Sequence, residues 1–379
     1  MKKYCPCAAL TLFLLILFSG CQQQAGISAD LGFPGNDTVY ITRIPLNGSA
    51  KQTTDTVVTE KGRFRLDPEV QDLYFCSLYT GKMITSMENG DDFLFPAKTV
   101  DFFIGPRDRI KIRAEMKEKL TVYTAEGNEL SRQMSTYREL VSPLYAEQAQ
   151  TLLDLENLYF LNDTAAGIAA LSERLSVLFY RSDSLLKAYI QEHPDHELSA
   201  YLLLRERKDD ILKYFPGLSA EVQASVCGQI LDKKIVAWQR TAPGTPAPAF
   251  RYATLSGDTL SLQDLRGKYT VLDFWGPWCH PCVSGMPEMK NYYEKYRDKA
   301  AFVGIACRTD RETWAAAVGN LGLSWIQILN DENGEDLSAL YGIEGYPTKI
   351  IIDREGKILR VFLGESPEFY EELDKLLSL

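Results

Sequence analysis

Histidine is scarce in this chain of 379 residues: there are three, and none has the spacing of a metal-ligand set. His193 and His196 flank Pro194-Asp195 and read as a solvated turn rather than a ligand pair. Positive charge is also in short supply. Lys and Arg number 41 against 51 Asp and Glu, a formal net charge of −10, and no basic cluster offsets it. That argues against a nucleic-acid partner. No internal repeat is evident. The apolar run Ala8 to Phe18 is too short to span a membrane comfortably as a mature helix. The eight cysteines do not describe a disulfide-stapled scaffold, because only Cys279 and Cys282 are paired by spacing. Cys76, Cys227 and Cys307 are isolated and read as small buried hydrophobes.

What is present divides the chain into several regions. Met1-Lys2-Lys3 and the apolar run behind it read as a signal peptide over residues 1–20, which removes Cys5 and Cys7 with it. The run ends Leu17-Phe18-Ser19-Gly20-Cys21, which resembles a bacterial lipobox and makes Cys21 the expected lipidated residue. Residues 21–36 would then be a polar, lipid-anchored tether. Over 37–125 the pattern is β, with alternation in Thr38-Val39-Tyr40-Ile41-Thr42 and turns at Asn47-Gly48, Lys61-Gly62 and Asn89-Gly90. A small antiparallel sandwich or barrel fits, with no catalytic constellation in it. Over 126–240 the apolar residues recur at helical spacing, with Asp163 or Thr164 placed to cap one helix and Ser219 another. Thr241 to Pro248 is rich in proline and reads as a semi-rigid linker. Residues 249–379 alternate strand and helix and end in a hairpin and a helix, the order of an α/β domain.

The chemistry concentrates in that last region. Trp278-Cys279-His280-Pro281-Cys282 follows the apolar strand Val271-Leu272-Asp273-Phe274-Trp275 and precedes a helical segment. Two cysteines so spaced can make and break a disulfide with little backbone movement. The first lies at a helix N-terminus, where unpaired N–H groups and the helix dipole favour the reactive thiolate. Asp273 to Cys282, together with Gly345-Tyr346-Pro347-Thr348, resembles the thioredoxin fold over roughly 248–379. The additional helix and strand between Thr309 and Leu329 are similar to the membrane-tethered TlpA/ResA branch. The upstream stretch Phe102-Phe103-Ile104-Gly105-Pro106-Arg107-Asp108 resembles a domain of unknown function that precedes such domains in Gram-negative lipoproteins.

The resemblance implies a role for each residue. Cys279, nearer the helix start and more exposed, would be the attacking thiolate, and Cys282 the resolving thiol. Pro281 falls in the first helical turn, where its missing N–H costs little. Pro347 matches the family's cis-proline, which would turn the Tyr346 backbone outward to pair with an extended substrate beside Trp278. Asp273 matches a buried acid that exchanges a proton with Cys282. His280, as imidazolium beside Cys279, would tune the couple toward the reduced form. Gly285 stands where relatives in the tethered branch often carry a glutamate; Glu288 is near it in sequence.

The chain thus reads as a multidomain envelope lipoprotein facing the periplasm: an antiparallel β domain, a helical middle and a thioredoxin-like α/β domain. The expected activity is thiol–disulfide exchange on exported proteins, as reductant or isomerase, with apocytochrome c maturation one task the family suggests. It implies no bound cofactor, and a membrane electron donor for re-reduction. Two other readings are a peroxide reductase of the peroxiredoxin type, for which Gly276 stands where a threonine is needed, and a binding module in which residues 31–240 hold a partner.

Overall fold

The structure is a computed structural model that describes residues 25–46, 52–86, 90, 92–160, 165–332 and 335–378. The signal segment, Cys5, Cys7, Cys21, the Asn47-Gly48 turn, Asn89 and the cap at Asp163 or Thr164 lie outside the described residues. The chain divides into two compact units, with the boundary between Leu202 and Leu203.

The first unit begins with β1 (Gly26–Asp30), β2 (Thr38–Pro45), β3 (Thr53–Val58), β4 (Arg63–Leu66) and β5 (Tyr74–Thr80). There follow β6 (Ile84–Ser86), β7 (Asp92–Leu94), β8 (Val100–Ile104), β9 (Arg109–Met116) and β10 (Thr121–Glu126). One sheet runs β10-β9-β1-β4 and the other β3-β2-β5-β8. Alternate side chains of both, among them Ile27, Ile41, Leu78 and Ile112, share one core, so the region is a sandwich. The strands within 37–125 pair antiparallel as expected, and the expectation of a tether over 21–36 is corrected. Gly26–Asp30 is a strand, parallel to β9 and antiparallel to β4. Its Ile27 and Ala29 alternate with Ser28 and Asp30, and burying the apolar side fills the gap between those two strands.

Helices follow: α1 (Glu129–Phe160), α2 (Ala165–Glu192) and α3 (Glu197–Leu203), whose last residue is the first of the second unit. α1 is fixed to the sandwich by Ser131, whose hydroxyl accepts the Phe103 N–H at 2.9 Å. Pro194-Asp195 is a turn with Asp195 exposed, as expected, and the two histidines that flank it are half-buried. Their rings stack 4.5 Å apart, and the Tyr189 hydroxyl lies 3.0 Å from His196 Nδ1.

The second unit starts with α4 (Lys208–Tyr214), α5 (Ala220–Gln223) and α6 (Val226–Arg240). It continues through β11 (Arg251–Ala253), β12 (Thr259–Ser261), β13 (Tyr269–Trp275), α7 (His280–Tyr296), β14 (Ala300–Ala306), α8 (Arg311–Leu321) and β15 (Ile326–Leu329). It ends with α9 (Leu337–Leu340), β16 (Thr348–Ile352), β17 (Ile358–Leu363) and α10 (Pro367–Leu377). The sheet order is β15-β14-β13-β16-β17, parallel across the first three and antiparallel across the rest. β13 is central and covered on both faces, which its nearly unbroken apolar sequence requires. Val271 and Trp275 point to the side packed with α7 and α10, and Leu272 and Phe274 to the side packed with β11, β12 and α9.

The proline-rich segment is pinned rather than a spacer. Gly244 N–H donates to Ile358 O at 2.7 Å, Ala247 N–H to Gly356 O at 2.9 Å, and Ile358 N–H to Thr245 O at 2.9 Å. Its extended, proline-fixed backbone suits it to pair beside the start of β17. Just before it, Trp238 is buried and its Nε1 donates to Gly342 O at 3.0 Å. The helices from Lys208 to Arg240 therefore belong to the same unit as the α/β domain.

Candidate active site

β13 ends at Trp275, and Gly276-Pro277-Trp278 carries the chain into α7. Cys279 is the N-cap of that helix, and its sulfur accepts the Cys282 N–H at 3.3 Å. Pro281 sits in the first turn. Cys279 and Cys282 form a disulfide with their Cα atoms 5.3 Å apart. Both are buried, at 4% and 2% exposure, so the expected greater exposure of Cys279 is slight. The reason is that both sulfur residues join the apolar cluster of Trp275 and Met286.

Gly276 has no room for a side chain. A Cβ there would meet the Trp278 indole and the Cys307 carbonyl. The ring is held by its Nε1, which donates to Cys307 O at 3.0 Å, while half its surface stays exposed. The threonine that a peroxidatic site would need at 276 is sterically excluded by this arrangement.

The Tyr346–Pro347 peptide bond is cis. Pro347 O accepts the Gly364 N–H at 2.8 Å, whereas among the described residues no hydrogen bond takes up the Tyr346 N–H or C=O. The Tyr346 ring meets Trp278 edge-on, with centroids 5.4 Å apart. Its hydroxyl lies 3.1 Å from Ser338 Oγ, and burial pushes it up to about 12. Ser338 Oγ in turn lies 3.3 Å from the sulfur of Cys307, a thiol also pushed by burial up to about 12 and so held protonated. Cys307 behaves as the small buried residue expected of it.

Asp273 shares the face of β13 that carries Val271 and Trp275, two residues that pack in one cluster with the cysteine pair. It is 3% exposed, and burial raises its proton affinity above the ordinary carboxylate range. Its neighbour across the sheet is Lys349 of β16, whose Nζ is 3.6 Å from Asp273 Oδ1 and 2.6 Å from Glu365 Oε2. His280 is exposed, and its Nδ1 lies 3.5 Å from Ser284 Oγ, one turn along the helix. Glu288 is exposed and accepts a hydrogen bond from Asn291 at 3.2 Å.

The structure therefore brings Cys279, Cys282, Trp278, Pro281, Tyr346 and Pro347 to the head of α7, with Asp273 on the face of β13 that packs against that helix. It adds residues that the sequence reading passed over. Lys349 had a visible signal, being a single charge in the fully buried strand Thr348-Lys349-Ile350-Ile351-Ile352. Arg308 had none. It adopts φ 53° and sets its guanidinium 5.4 Å from the Tyr346 ring and 6.0 Å from the Trp278 ring, at the rim of the site. Glu365 is likewise fixed only by tertiary contacts.

A Cys-x-x-Cys disulfide at a helix N-terminus, in a domain that also carries a cis-proline, is the arrangement of a thioredoxin-like domain. The Redoxin family matches residues 242–377. The chain is similar to the thiol-disulfide oxidoreductase ResA of Bacillus thuringiensis, 35% identical over 137 residues, which cover 36% of this chain and 76% of that protein. It is also similar to the thioredoxin-like protein YneN of Bacillus subtilis, 36% identical over 155 residues, 40% of this chain and 86% of that one. A solved thioredoxin domain of a thiol-disulfide oxidoreductase from Bacteroides vulgatus is 30% identical, with a TM-score of 0.34, over 36% of this chain and 98% of its own. Through its C-terminal region the chain belongs to the ResA-type thiol-disulfide oxidoreductase family.

Proposed function

We propose that this oxidoreductase is anchored by lipid on Cys21, faces the periplasm, and exchanges disulfides with exported proteins as a reductant or isomerase. The observation that carries the reading is the Cys279–Cys282 disulfide at the head of α7 beside the unpaired backbone of Tyr346. An extended client segment pairs there, against Trp278, by backbone hydrogen bonds. The anchor and the compartment are supported by the basic start, the short apolar run and Ser19-Gly20-Cys21.

The exchange then runs in two steps. The Cys279 thiolate, favoured by the N-terminus of α7, attacks one sulfur of the client disulfide. A mixed disulfide forms and the client's other sulfur leaves as thiolate. Cys282 next gives its proton to Asp273 and attacks Cys279, which closes the enzyme disulfide and releases the second client sulfur. Two electrons have passed to the client, and a membrane dithiol donor returns them. A disulfide in apocytochrome c is a client that the family resemblance suggests.

Reduction of a model disulfide with added dithiol should vanish in Cys279→Ser, and Cys282→Ser should accumulate the mixed disulfide. Wild-type rates in both variants would remove the pair from the mechanism. Cys21→Ala should move the protein from the membrane fraction to the soluble periplasmic fraction. An unchanged membrane fraction would reject the lipid anchor.

A further inference from the structure

Lys349 lies in a strand covered on both faces, where a charge persists only with partners. Its side chain is 3% exposed and its ammonium is divided unequally, 2.6 Å from Glu365 Oε2 and 3.6 Å from Asp273 Oδ1. The longer separation is an ion pair without a hydrogen bond, and Asp273 Oδ1 is left with no hydrogen-bond partner. Glu365 is held from two sides. The Tyr370 hydroxyl donates to its Oε1 at 2.5 Å, and its carboxyl group lies over Gly285, one turn beyond Cys282. A Cβ at residue 285 would collide with all three carboxyl atoms. The missing side chain at 285 is therefore what admits a carboxylate from the segment after β17 to the inner end of the site. Asp273 and Lys349 are both buried, at 4% and 3% side-chain exposure, whereas Glu365 is 25% exposed.

The geometry points to Lys349 and Glu365 as positioning residues for Asp273: Glu365 draws the ammonium away, so that Asp273 stays basic enough to take the Cys282 proton. This rests on the reading above that Asp273 serves Cys282. In the resolving step the Cys282 S–H bond breaks and its proton passes to Asp273. The sulfur electron pair forms the bond to Cys279, and the client sulfur leaves with the electrons of the mixed disulfide.

Among the described residues, the charged and titratable groups that act on Asp273 are Lys349 of β16, Glu365 of the segment after β17 and Tyr370 of α10, while β14 presents Gly304. Glu288 of α7 acts at longer range on Tyr370. Burial raises the proton affinity of Asp273, Lys349 lowers it, and Glu365 raises it again. The two neighbours thus act with opposite sign.

The test is the pH dependence of mixed-disulfide resolution in the full-length protein, followed by rapid quench with a model disulfide. Asp273→Asn should abolish the acid limb. Glu365→Gln lets the ammonium settle on Asp273, so the limb should move down by about one pH unit. Gly285→Ala displaces the Glu365 carboxyl and should move it the same way. Lys349→Met should move it up, and the first two shifts decide the matter if that variant fails to fold. An acid limb retained in Asp273→Asn overturns both this inference and the reading of Asp273. A limb lost in Asp273→Asn but unmoved in Glu365→Gln and Gly285→Ala overturns this inference alone.

Discussion

Burial lifts the proton affinity of Asp273, and the Lys349 ammonium 3.6 Å away offsets part of that rise. The same shift is a statement about stability. The folded state holds the Asp273 proton to higher pH than the unfolded chain, whose aspartates titrate near about 3.9. Stability therefore falls as pH rises from about 4 through the raised folded value. Asp273→Asn removes this dependence. The stability of the variant relative to wild type, both oxidised, should increase between pH 4 and neutrality in urea unfolding. A constant difference would show that Asp273 titrates normally, and a shrinking one that its proton affinity is lowered in the folded state; either overturns the reading. The residues of the site that were legible in the sequence are those whose chemistry is local. The cysteine pair, Asp273 and Pro347 announce themselves by spacing and flanking residues. Glu365 and Arg308 do not, because Glu365 is defined by Lys349, Tyr370 and the empty place at Gly285, and Arg308 by two aromatic rings.

The turn between β13 and α7 is the element on which the site depends. Cys279 caps the helix with its own sulfur, so the reactive atom and the helix N-terminus are set by one piece of backbone. Trp278 folds back across Gly276 to reach the Cys307 carbonyl, which lies at the end of the neighbouring strand β14. Gly276→Thr places a branched side chain against that indole. The ring must leave Cys307 or the turn must shift, at a cost of about 1–3 kcal/mol. The expected outcome is a roughly tenfold or greater loss of disulfide exchange, with no gain of peroxide consumption. Unimpaired exchange would mean that Trp278 is not part of the client-docking edge. Strand and helix order in this region follows from short-range patterns: α8 lies in the expected helix–strand stretch between Thr309 and Leu329, and α10 is the expected final helix. β1 was not legible as a strand: its five residues show their role only through pairing with β4 and β9.

At the scale of the whole molecule, composition misplaced the working boundary. Prolines between Thr241 and Pro248 read as a spacer, yet the compact unit that holds the redox site begins at Leu203. What decides the boundary is long-range. Trp238 is 5% exposed and bonded to Gly342, whose φ of 63° and contact with the indole leave no room for a side chain. Gly244, Thr245 and Ala247 are hydrogen-bonded to residues 356–358. A fragment starting at residue 249 keeps the five-stranded sheet and the cysteine pair but loses the indole and these hydrogen bonds. Removing a buried tryptophan from its packing costs about 3–5 kcal/mol, and each lost backbone bond adds about 1 kcal/mol. The fragment 203–379 should therefore unfold at a clearly higher urea concentration than 249–379, with both reducing a model disulfide under conditions where both are folded. Coincident unfolding curves would mean that α4 to α6 add nothing to the stability of the redox domain, and that the proline-rich segment is a linker after all.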